Sequence, residues 1–203
     1  MMSYPIPNVV ERTPAGERYS DVYSHLLSGR IVYVGTPIDA GVANALVAQL
    51  LYLDAENSER DVELYINCSG GDPAAMLAVY DTMRHIRADV ATTCVGQAVS
   101  VGAVLLAAGA DGKRSATPHS RIVLHQPGVE GGRGTIPDLI IEADELVRVR
   151  AQIESVLARH TGREPAQIRS DTERTRVFTA PDAVDYGLID AVVDGDATHA
   201  ASA

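Results

Sequence analysis

The sequence predicts an α/β fold, and three observations carry that reading. Short β-branched runs recur along the chain: RIVYVG at 30–35, DVELYIN at 61–67, VATTCV at 90–95 and RIVLHQP at 121–127. Between them, apolar residues return every three or four positions, the helical period. The alternation continues to LIDAVV at 188–193, as a sheet covered by helices requires.

A chain of 203 residues, 46% of them hydrophobic, can bury one sizeable core as a single domain. Its net charge of −10 disfavours a nucleic-acid partner. Cys68 and Cys94 sit in strand-like contexts as small apolar residues, not as a disulfide framework. Neither CxxC nor HExxH spacing occurs, so a metal site has no support. The opening MMSYPIPNVVERT carries no leader pattern, and no apolar run reaches the ~18 residues that span a bilayer. A cytoplasmic location is expected.

Residues 1–20, punctuated by Pro5, Pro7 and Pro14, read as an N-terminal arm, extended or mobile. The domain proper spans 21–194. Asp21 caps a short helix, VYSHLLS, that Gly29 stops, and the strand at 30–35 follows. Asp39 caps the next helix, with Val42, Leu46, Leu50 and Leu53 inward. The strand at 61–67 ends in CSGGD, and Pro73 opens a helix with Met76, Tyr80, Met83 and Ile86 on one side. Val90 to Val95 is a strand, Gly96 a turn, and the small residues after it a helix.

The strand at 121–127 closes on Pro127 and the Gly-rich GVEGGRG. Asp138 to His160 then forms a long amphipathic helix, with Leu139, Ala143, Leu146, Ile153 and Leu157 inward. Its acidic residues come first and its arginines later, complementing the helix dipole. Gly162 ends it. A short helix at Ala180–Tyr186 and the strand at 188–193 complete the domain. The tail at 195–203 is expected to be disordered.

Ser100 stands near the start of the small-residue helix, among Ala, Val, Gly and Leu. Two readings fit it: a residue that caps or back-bonds the helix, or a nucleophile at a helix N-terminus that favours an oxyanion. Gly70-Gly71 and Gly96 each follow a strand and precede a helix, where amides converge on an anion. Neither matches a Walker loop or GxGxxG, which argues against nucleotide binding. Of six histidines, His25, His85 and His160 lie in helical stretches, His119 in a turn and His199 in the tail. His125 ends an apolar strand, either as a satisfied core histidine or as a base for Ser100.

YINCSGGD, GQAVSVGAVLLAAGADGKR, SRIVLHQP and YGLID, in this order, resemble the proteolytic subunit of the ATP-dependent Clp protease, over about residues 10–193. The resemblance implies a crotonase-like fold of repeated ββα units, with a protruding handle at 128–161. It implies a serine endopeptidase in two stacked heptameric rings, fed with unfolded polypeptide by a AAA+ Clp unfoldase. ATP belongs to that partner, so no cofactor is expected here. By position, the nucleophile falls on Ser100 and the general base on His125. The oxyanion donors fall on the backbone N–H groups of Gly71 and Val101, and a ring–ring contact on Glu173 and Arg174.

Several positions depart from the family pattern. Val101 stands for a usual Met, and Cys68-Ser69 for the usual Ser-Pro, a change expected to loosen the turn. The acidic third triad residue belongs to a D-[ST]-[DE]-R-D-x-F pattern, but here the run is DTERTRVF, 171–178, with one residue more before the phenylalanine. Counting from DTER puts Thr175 at that position; counting back from Phe178 puts Arg176. Neither is acidic, and Asp171 or Glu173 would substitute only if the loop shifts. The unfoldase-docking positions read Glu63, Tyr65, Thr93, Val95, Ser115 and Thr117, of which only Tyr65 and Val95 keep the expected character.

These departures leave two readings: an active peptidase subunit, or a weakly active or inactive structural subunit paired with a complete paralogue. A crotonase-fold acyl-CoA enzyme is a third, and the Ser100 and His125 spacing argues against it.

Overall fold

The computed structural model describes residues 6–14, 16–128 and 134–194. The expected tail and most of the Gly-rich stretch after Pro127 lie outside them. The expected arm includes a hairpin, β1 (Asn8–Thr13) antiparallel to β2 (Gly16–Asp21), separate from the main sheet. Asp21 accepts from the amides of Tyr23 and Ser24 and opens α1 (Val22–Ser28), as its sequence requires.

The core is a seven-stranded mixed sheet. β3 (Ile31–Val34), β4 (Val62–Cys68), β5 (Val90–Val99), β6 (Arg114–Ala116) and β9 (Ala191–Val192) run parallel in that order. β7 (Arg121–Leu124) pairs parallel with β5 and antiparallel with β8 (Arg176–Phe178). α2 (Ala40–Glu56), α3 (Pro73–His85) and α4 (Val101–Ala107) contribute to a continuous apolar core. Leu46, Leu50 and Leu53 of α2 are buried as their spacing predicts, with Ala43 joining them while Val42 is half-buried. Among the described residues no helix is long and apolar enough to cross a membrane.

β5 organises the site. The sequence reading ends this strand before a turn at Gly96, but the strand runs on to Val99. Gly96, at φ +88°, sits inside it, and a Cβ there would lie 3.1 Å from Asn67 Oδ1. The glycine lets β5 change neighbours: Thr92–Cys94 pair with β6, while Gln97–Val99 pair with β7. Such a switch, at the carboxyl ends of parallel strands, is where α/β sheets open a crevice.

α5 (Ile136–Thr161) corrects a second expectation. Ile153 and Leu157 are buried, but Leu139 and Ala143 are exposed and Leu146 is half-buried. A helical apolar period reports a stripe, not what covers it, and within one chain the first half of this helix stands clear. Buried Glu154 ties its second half to α6 (Pro165–Thr172), a helix absent from the sequence reading, through Arg169 at 2.7 Å, and also pairs with Arg150 of its own helix at 2.8 Å. Burial pushes the Glu154 carboxyl up, but hydrogen bonds from Arg169 and Arg150 outweigh it and hold the carboxyl below its ordinary range.

Arg30 joins α2 to the entry of β4. It is buried at φ +65°, and its guanidinium donates to the carbonyls of Leu53 (3.0 Å), Asn57 (2.8 Å), Arg60 (2.9 Å) and Asp61 (3.0 Å). Those carbonyls belong to the end of a helix and the loop after it, and the one on Leu53 also accepts from Asn57 N (3.1 Å). Arg30→Lys therefore lowers stability by about 3 kcal/mol, because an ammonium cannot span four carbonyls with a planar fork. A urea melt followed by circular dichroism checks this; an unchanged midpoint would refute it.

α7 (Ala180–Tyr186) begins with a Thr179–Asp182 capping box and ends at left-handed Gly187, as a short capped helix should.

Candidate active site

The chain after β4 turns through Ser69 to Asp72, and Ile38 holds that turn. Ile38 N donates to Gly70 O (2.9 Å), and Asp72 N donates to Ile38 O (2.8 Å), a parallel bridge. That pattern engages the groups on either side of Gly71 and turns its own N–H away from Ile38. Gly71 lies at φ +146°, and a Cβ there would collide with the Ile38 backbone. The missing proline does not leave the turn untied. The Cys68 thiol donates to Gly70 O at 3.1 Å, and burial pushes that thiol up, keeping it protonated to do so.

Ser100 ends β5 and starts α4. Its φ of 54° and ψ of −114° are unusual: among the described residues only Arg30 shares a positive φ without being glycine. Such a conformation costs about 1–3 kcal/mol and persists only when its surroundings enforce it. Here they do. Ser100 N donates to Val123 O (2.8 Å), and its carbonyl accepts from Ala103 N (3.0 Å) and Val104 N (3.2 Å). Its hydroxyl makes no capping bond, which removes the capping reading. The amide of Val101, at the first helical position, has no carbonyl one turn back to bond.

The end of β4 and α4 are in contact. A Cβ on Gly102 would lie 2.9 Å from Cys68 Cβ, so the first turn of α4 rests on the end of β4. β7 delivers His125 to the same edge, one residue past Leu124 and two past Val123, which accepts from Ser100 N. His125 is half-buried, with Nδ1 2.9 Å from Gln126 O. In this structure Ser100 and His125 make no hydrogen bond to each other, a looseness common before substrate binds.

The β7–β8 register runs Ile122↔Phe178, Val123↔Val177, Leu124↔Arg176. The ladder ends there, and Thr175 and His125 are the next residue on each strand. Arg176 is turned elsewhere, paired with Asp171 (2.8 Å) and lying over the rings of Phe178 and Tyr186. Asp171 also accepts from Tyr186 OH (2.7 Å) and Gln167 Nε2 (3.0 Å). In this structure the Asp171 oxygens are committed to Arg176, Tyr186 and Gln167, away from His125. Glu173 and Arg174 are exposed; the Glu173 carbonyl accepts from Gln126 Nε2 (3.4 Å), while its carboxylate makes no bond to His125.

Sequence reasoning missed Ile38, Gln126 and the Asp171–Arg176–Tyr186 cluster. Pro127 after Gln126 was the one available signal, since it restricts the residue before it.

The docking positions lie on one side of the sheet. Strand registers align Tyr33, Tyr65, Thr93, Ser115 and Ala191 in a row, and the Thr93 and Ser115 hydroxyls bond at 2.9 Å. Burial pushes the Glu63 carboxyl up and Asp61 adds to that, partly offset by Lys113. The face thus carries Glu63, Thr93 and Ser115 beside Tyr33 and Tyr65.

Comparison with known proteins agrees with this arrangement. The family model described as Clp protease matches residues 14–196. The chain is 63% identical over 194 residues to "ATP-dependent Clp protease proteolytic subunit 1" of Nocardia farcinica, covering 95% of this chain and 98% of that one. It is 54% identical over 198 residues to a "Putative ATP-dependent Clp protease proteolytic subunit-like" protein of Streptomyces coelicolor, covering 97% and 94%. It is 47% identical over 192 residues to subunit 3 of the same Nocardia farcinica, covering 94% and 87%. A match over nearly the whole length, on a chain that places a strained serine, a histidine and a Gly-Gly turn at one sheet edge, decides the family: the chain belongs to the Clp protease family.

Proposed function

We propose that this chain is a serine endopeptidase subunit that cuts unfolded polypeptide through an acyl-enzyme. The carrying observation is Ser100, held at positive φ on the β5–α4 junction with its hydroxyl uncapped. Ser100 attacks the scissile carbonyl, and His125 takes the proton and returns it to the leaving amine. The N–H groups of Gly71 and Val101 receive the oxyanion, and the α4 dipole adds to them. The fold is read as crotonase-like, the free half of α5 as the handle that meets a second ring, and Glu173-Arg174 as part of that contact. The subunit then works in the cytoplasm in stacked heptameric rings, fed by an ATP-driven unfoldase, with no cofactor or metal of its own.

Two observations favour a second reading, a weakly active subunit paired with a complete paralogue. Among the described residues no carboxylate bonds His125, and the docking positions carry Glu63 and a Thr93–Ser115 bond in place of apolar side chains. The first bears on activity alone, the second on an unfoldase docked through a partner ring. That Nocardia farcinica has at least two such subunits shows only that relatives coexist in one organism.

Labelling by a fluorophosphonate, with and without peptide substrate, tests the first reading. Wild type is expected to be labelled at Ser100 and Ser100→Ala not at all. Labelling elsewhere, or none in any assembly with a paralogue, would sink the catalytic assignment.

A further inference from the structure

Among the described residues His125 has no acidic partner, yet its ring is held. Nδ1 lies 2.9 Å from the main-chain carbonyl oxygen of Gln126. A carbonyl oxygen only accepts, so Nδ1 is the protonated nitrogen, and in the neutral ring Nε2 keeps the lone pair. Nε2 is then the nitrogen left to take the Ser100 proton. That is the tautomer a triad aspartate normally enforces.

The carbonyl is itself fixed from several sides. Gln126 N donates to Thr172 O at 2.9 Å, and Gln126 Nε2 donates to Glu173 O at 3.4 Å. Thr172 is a firm anchor: it is buried at the end of α6, with its hydroxyl donating to Ile168 O at 2.9 Å. Pro127 confines Gln126 to extended ψ, which sets the direction of its C=O. Among the described residues no carboxylate bonds the ring. Asp171 is committed to Arg176, Tyr186 and Gln167, and the side chains of Glu173 and Thr175 form no bond to it.

We infer that Gln126 is the positioning residue of this site, its main-chain carbonyl orienting His125 in place of an acidic third residue. The inference rests on reading Ser100 and His125 as nucleophile and base. As the Ser100 oxygen bonds the substrate carbon, its proton passes to Nε2, while Nδ1–H stays on the Gln126 carbonyl. A carbonyl dipole steadies the imidazolium less than a carboxylate does. The site keeps its geometry and loses charge stabilisation.

Solid-state NMR of the assembled, ¹⁵N-histidine-labelled chain tests this, with the His125 signal identified by its loss in His125→Asn. Above the imidazole titration, wild type is expected to show Nδ1 protonated and Nε2 bare. Gln126→Ala, which frees one tether of the carbonyl, mixes the tautomers. It also lowers kcat on a fluorogenic peptide about tenfold at unchanged KM, short of the 10²–10⁴ lost with a general base. Thr175→Ala leaves the tautomer as in wild type. A protonated Nε2 in wild type overturns the inference, as does a tautomer that follows Thr175 and ignores Gln126. Because the NMR signal needs no turnover, a silent peptide assay with Nδ1 protonated overturns the peptidase reading and keeps the carbonyl's hold on the ring.

Discussion

Thr175→Asp raises peptide hydrolysis by about 10–100-fold, and the gain appears in kcat. Residue 175 and His125 each lie one step past the last β7–β8 pair, Leu124↔Arg176, so on the proposed mechanism a carboxylate at 175 can meet the imidazolium formed as Ser100 gives up its proton. One charge-assisted hydrogen bond is worth roughly 1.5–3 kcal/mol, and each ~1.4 kcal/mol is tenfold in rate. Replacing an aspartate with a neutral amide in serine proteases costs more, about 10⁴, because the amide also imposes the wrong tautomer. Here the Gln126 carbonyl already sets the tautomer, so only the charge remains to be regained. The carboxylate also favours the imidazolium and moves the acid limb of kcat/KM to higher pH. Stopped-assay rates across pH for wild type and variant measure both effects. No gain would mean that His125 is not limited by its missing acid; a gain near 10⁴ would mean that its tautomer was not held.

The fold class was legible because β-branched runs and helical spacing are local signals, and Asp21 and Asp39 cap the helices their positions announce. What escaped was decided by long-range partners. Gly96 reads as a turn in a row of letters, but Asn67 and the change of neighbour from β6 to β7 make it a bend inside a strand. Leu139 and Ala143 fall on the apolar stripe of α5, yet both are exposed among the described residues. α6 and β8 are short and of mixed polarity, and their order comes from Glu154, Asp171 and the edge of β7. At the site, Ser100, His125 and Gly71 were legible as motif residues. The ambiguity between Thr175 and Arg176 was one of register, and only strand pairing separates positions one residue apart. Main-chain groups such as the Gln126 carbonyl have no letter of their own.

Gly71→Ala abolishes peptidase activity, whereas Gly70→Ala lowers it far less. Both glycines have positive φ, +146° and +130°, so each alanine carries a backbone penalty of about 1–3 kcal/mol. Their surroundings separate them. A Cβ on Gly70 meets open space, while one on Gly71 runs into the Ile38 backbone, which is itself bonded to Gly70 O and Asp72 N. Neither side can give without breaking the bridge, so the Gly71 variant must move the turn and its N–H. Loss of one oxyanion donor costs about 10²–10³ in kcat, and a displaced turn also disturbs the Asp72 cap of α3. Circular dichroism and particle size establish that the assembly persists, and the peptide assay then reads the site. If Gly71→Ala assembles and still cleaves at the wild-type rate, the oxyanion is held elsewhere, and the turn after β4 is a structural corner and no part of the chemistry.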